Sequence, residues 1–98
     1  MQVTENHQLG ISEAQKRIVQ FGEKIKTDYS DKINNYSEQW KDNEGIFKML
    51  IMGQKIEGKI KIAENYVTVE GAVPFMLKFF EKQIEITIRK SLQEVLKK

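Results

Sequence analysis

The sequence predicts an α+β fold: a two-layer sandwich of order β-α-β-β-β-α, in which an antiparallel meander carries both helices on one face. Three observations carry the prediction. Apolar and polar residues alternate on both sides of Glu64-Asn65 in KIEGKIKIAENYVTVEGAV, the period of a half-buried strand pair. Ala14, Ile18, Phe21, Ile25 and Tyr29 recur at spacings of four, three, four and four, which draws one stripe down a helix. Leu77, Phe80, Ile84, Ile88, Leu92 and Val95 draw a second stripe, within about 60° of one direction at roughly 100° per residue. Two helices and a sheet, each with one apolar face, are satisfied together when both helices stack on that sheet face.

Val3 to His7 opens the chain as a short edge strand, on the strand propensity of Val3 and Thr4. A helix comes next, from Ser12 to about Ser30, with Ser12 and Gln15 at the spacing of a capping box. The segment SDKINNYSEQWKDNEG is dense in turn formers at both ends, and only Tyr36 to Lys41 reads as extended, with Tyr36 and Trp40 on one face. Asp42-Asn43-Glu44-Gly45 then makes a turn, and IFKMLIM, apolar on both faces, reads as an inner strand.

Two tight loops set the strand pairing. A loop at Gly53-Gln54, with glycine first as a type II′ turn prefers, sets Ile51 opposite Ile56, Met49 opposite Gly58 and Phe47 opposite Ile60. A loop at Glu64-Asn65 pairs Ile62 with Val67, Ile60 with Val69, Gly58 with Gly71 and Ile56 with Val73. Both registers turn the same residues of the middle strand inward, and a slip of one residue in either would turn its apolar set outward. The other face carries Lys48, Lys55, Glu57, Lys59, Lys61, Thr68 and Glu70 and is solvated, apart from Ile46, Leu50 and Met52. Pro74 ends the sheet, and the last helix runs on to the C-terminus.

Ninety-eight residues, 40% hydrophobic and 31% charged, are one domain's worth with an ordinary globular balance. A chain of this size leaves little material for a deep catalytic cleft. The absence of cysteine excludes a disulfide framework, a thiolate nucleophile and every zinc site that needs a thiolate. The N-terminus lacks the pattern of a signal peptide and no apolar run approaches a membrane span, so the expectation is a soluble, cytoplasmic protein with no transmembrane segment. A net charge of +2 is too mild a basic bias to call for nucleic acid as a partner.

His7 is the only histidine and has no nucleophile spaced to work with it, so a structural or surface role is expected. Glu38, Asp42 and Glu44 around Trp40 read as solvated turn and edge residues rather than an acid/base pair. No phosphate-cradling glycine loop is present, and neither a catalytic residue, a metal ligand nor a cofactor site is expected. Gly58 and Gly71, facing each other across the hairpin, admit two readings. Either a helix side chain such as Phe80 fills the dent they leave, or the dent together with Met49 takes a small apolar ligand such as an acyl chain.

On the last helix, Phe75, Phe79 and Ile86 point away from the core stripe, among Lys82, Arg89 and Lys90. That pattern suits a partner protein, a second copy of the chain or an apolar surface of anionic character. The competing reading puts Phe75 in the opening turn and folds Phe79 over the sheet edge.

Several motifs spread over nearly the whole chain, namely HQLGISEAQ, the lone Trp40 before a polar turn, GKIKIAENYVTVEG and IEITIRKSLQEVL, resemble the small bacterial proteins of the polyhydroxyalkanoic acid system, or granule-region, family. The chain departs from that family's pattern at Lys41-Asp42-Asn43, where a Gly-Asp turn is usual, and at Pro74, where a glycine is common. The resemblance implies a non-enzymatic accessory or binding protein associated with polyester storage granules, and it implies no catalytic residue.

Overall fold

In a computed structural model that describes all 98 residues, the chain forms β1 (Gln2–Asn6), α1 (Gly10–Asp28), β2 (Ile33–Lys41), β3 (Glu44–Ile51), β4 (Gln54–Ile62), β5 (Tyr66–Gly71), a 3-10 segment (Phe75–Phe80) and α2 (Glu81–Val95). The sheet order is β1-β5-β4-β3-β2 and every neighbouring pair is antiparallel. This is the expected α+β sandwich, with both helices on one face of a meander. It has one strand more than the sequence reading counts, because the polar segment after α1 pairs with β3 as β2, across one bulge.

Antiparallel pairing with alternating burial explains the inner face. Val3, Ile60, Ile62, Val67 and Val69 of the sheet meet Ala14 and Ile18 of α1 and Leu92 and Leu96 of the C-terminal helix in one buried cluster. The β4–β5 register is the expected one, with Ile62 opposite Val67, Ile60 opposite Val69 and Gly58 opposite Gly71. The ladder stops at Gly71, so Ile56 and Val73 are not a strand pair.

The β3–β4 register differs from the expectation by two residues. Ile51 pairs with Gln54, Met49 with Ile56, and Phe47 with Gly58, so the loop is Met52-Gly53. Both loop residues have positive φ, 53° and 79°, as a type I′ turn requires, and that twist matches the flanking strands. A shift of two leaves every side chain on its expected face, which is why the patterning could not detect it.

At the start of α1 the expected capping box is absent. The helix begins at Gly10, with Leu9 at the N-cap and no side-chain cap, so Ser12 already lies inside the first turn. His7 takes over the junction instead. Its ring is buried, Nε2–H donates to the Ala63 carbonyl at 3.0 Å, and Nδ1 accepts the Leu9 amide at 3.1 Å. With the His7 amide bonded to the Asn65 carbonyl, the single histidine ties the end of β1 to the β4–β5 turn.

Candidate docking surface

Pro74 sets the path of the chain beyond the sheet. Its φ of −56° and ψ of 150° carry the backbone out of β5 in an extended step, and the next six residues wind as a 3-10 helix rather than as the first turns of α2. Side chains on a 3-10 helix repeat every three residues instead of every 3.6, so the outward directions expected from α periodicity do not hold here. Leu77, 3% exposed, is the one buried anchor. Around it Phe75 is 87% exposed, Met76 69%, Phe79 93% and Phe80 47%, with the Phe79 and Phe80 rings edge-to-face at 5.7 Å. Four large apolar side chains in six residues stand in water on one protruding turn.

Phe75 and Phe79 thus lie where the sequence placed them, while Phe80, read as core and as the filler of the glycine dent, joins the exposed group. Ile86 is 40% exposed on α2 and Lys82 and Lys90 are solvent-facing. Arg89 is corrected: its guanidinium donates to Glu5 Oε1 at 2.8 Å, lies 3.8 Å from Glu85 and reaches the Thr4 carbonyl at 3.4 Å. It fastens α2 to β1 and is not held out to a partner. The sequence does not single out Met76 and assigns Phe80 to the core, yet both are exposed.

The dent at Gly58 is occupied by neither Phe80 nor a helix. A Cβ at Gly58 would run into the Phe47 ring and lie 2.8 Å from the Glu70 carbonyl, so the ring of the neighbouring strand covers the glycine. Met49 sits half-buried on the same face, opposite Ile56. On the other face, the backbone at Gly58 and Gly71 floors an open depression lined by Met1, Ile46 and Ala72 as well as by Glu57, Lys59 and Glu70.

The carboxylates near Trp40 are dispersed. Glu44 lies 3.9 Å from Lys61 on the solvent face and Asp42 is in the β2–β3 turn. Glu38 faces inward and accepts the Tyr36 hydroxyl at 2.7 Å and the Trp40 indole N–H at 3.0 Å. Burial, with the hydrogen bond to Glu38 and the negative charges of Glu38 and Glu23 behind it, pushes the Tyr36 phenol well above its ordinary value. Gly22 of α1 lies against this pair so closely that a Cβ there would be 2.7 Å from Glu38 Oε2. The arrangement is a polar cluster within β2 against which Gly22 of α1 packs.

No helix of the chain is long and apolar enough to cross a membrane. A family model described as "Putative polyhydroxyalkanoic acid system protein" (PHA_gran_rgn) matches residues 1–96. Neither a curated protein nor a solved structure matches the chain.

Proposed function

The chain belongs to the polyhydroxyalkanoic acid system family, and on that footing we propose that it is a non-enzymatic accessory protein that docks on polyester storage granules through its 3-10 turn. One observation supports the docking surface above the others: Phe75 and Phe79 are 87% and 93% exposed, far more than any other large apolar side chain of the chain except Met52 and Met76. Side chains of that size lose exposed apolar area on contact with a partner at about 25 cal/mol per Å2, a gain that the free protein forgoes. Binding rather than catalysis also agrees with the charged side chains near the turn, of which Lys78, Glu81 and Glu85 are held in ion pairs, and with a His7 engaged at both ring nitrogens. The cytoplasm, where such granules form, is the compartment this role requires.

The test is fractionation of polyester-accumulating cells that express the full chain. The protein should sediment with the granules, and a Phe75→Ser, Phe79→Ser double variant should shift to the soluble fraction at equal expression. Equal retention of both proteins would remove the turn from the docking role.

A further inference from the structure

Resting on that reading, we infer that the partner of the turn is the uncharged polyester phase itself, entered by insertion of Phe75 and Phe79, and not an anionic coat or a protein on the granule. The first argument is charge. Residues 75–85 carry Lys78 and Lys82 against Glu81 and Glu85, two of each sign. Lys78 lies 3.3 Å from Glu81, and Glu85 is 3.8 Å from the guanidinium of Arg89, which is itself held by Glu5. Only Lys82 among these stands outside an ion pair, with Lys90 farther along α2, so the skirt around the apolar turn has little field with which to select an anion. A neutral apolar phase is the surface that such a skirt matches.

Shape argues the same way. Side chains exposed to 87% and 93% have almost none of their own chain beside them, so they project as knobs with no shoulder against which a protein surface would fit. At about 200 Å2 per side chain, Phe75, Met76, Phe79 and Phe80 together offer roughly 600 Å2. A deformable apolar phase closes around a knob and needs no complementary shape. The ester carbonyls of a polyester also accept hydrogen bonds from the Lys82 ammonium at the rim, which a purely hydrocarbon phase does not.

The experiment mixes the purified full chain with protein-free amorphous poly(3-hydroxybutyrate) particles and, separately, with phosphatidylglycerol vesicles. Sedimentation should show binding to the polyester that changes less than about twofold between ~50 mM and ~500 mM salt, a range over which exposed charge attraction is screened. Phe79→Ser should lower it at least about tenfold, the scale of losing most of one buried aromatic side chain. Lys82→Gln should leave most of it. Binding to the vesicles that is lost at high salt, with none to the polyester, would overturn the inference in favour of an anionic coat. Retention on native granules but not on the bare particles would overturn it in favour of a protein partner, and would leave granule docking through the turn intact. Absence from both would count against the docking reading as well.

Discussion

Tyr36, Glu38 and Trp40 show what one half-buried carboxylate can organise. Alternate residues of an edge strand, they turn to the same side, and Glu38 satisfies both of its oxygens with the phenol and the indole. Gly22 lets α1 come down onto them. The arrangement has a consequence for pH. Because the folded phenol is held above its ordinary value of 10.0, the folded state keeps a proton that the unfolded chain gives up, so this contribution is whole below pH 10 and is lost as pH rises past it. Tyr36→Phe should therefore flatten the fall in stability above pH 10, by less than about 1.4 kcal/mol per pH unit, the limit for one proton. The same variant should be less stable than the wild type at pH 7, where it lacks the bond to Glu38. Urea midpoints measured at pH 7, 10 and 11 test both halves, and parallel curves for the two proteins above pH 10 would rule out the coupling.

At the scale of elements, what the sequence discloses depends on whether a residue pattern admits one geometry or several. The β4–β5 hairpin is legible to the pair because alternation and a two-residue loop at Glu64-Asn65 leave one register. The β3–β4 hairpin is legible only to the face, since a loop at Met52-Gly53 and one at Gly53-Gln54 give identical patterning. β2 hides for a different reason. A bulge between Asn34 and Ser37, with Asn35 at a φ of 54°, adds one residue, so that Ile33 before it and Tyr36, Glu38 and Trp40 after it all lie on the half-buried side. Strict alternation is broken at the residue where the strand most needs it. Long-range caps have no local signal at all: Arg17 of α1 donates to the carbonyls of Val95 and Lys97 at 2.9 and 2.7 Å, closing the C-terminal end of α2 from outside. Arg17→Met keeps the aliphatic stem and removes those bonds. It should cost about 1–3 kcal/mol, as loss of hydrogen bonds to a charged group does. Hydrogen exchange should then quicken at residues 92–97 while β4 and β5 stay protected, and uniform exchange over the chain would show that Arg17 caps nothing.

Taken as a whole molecule, the chain divides its apolar residues between cohesion and display. Its Cα radius of gyration of 12.9 Å is that of a compact globule, for which about 12.6 Å is expected at this length. The core sits between the helices and β1, β5 and β4, whereas the 3-10 turn carries its large side chains outward around a single buried residue. Cohesion and display meet at Leu77 and its neighbours, and variants there separate them. Leu77→Ala removes a side chain 3% exposed and should cost about 2–5 kcal/mol, the range for a buried leucine. Phe79→Ser removes one that is 93% exposed and should move stability by no more than about 0.5 kcal/mol. The two should also differ in kind: urea unfolding of Phe79→Ser should coincide with wild type while its retention on a phenyl column falls, because the displayed area is gone and the fold is not. Leu77→Ala should unfold at lower urea and keep its retention while folded. If Phe79→Ser instead unfolds early, the ring is part of the core in solution, and the exposed turn does not display a surface for docking.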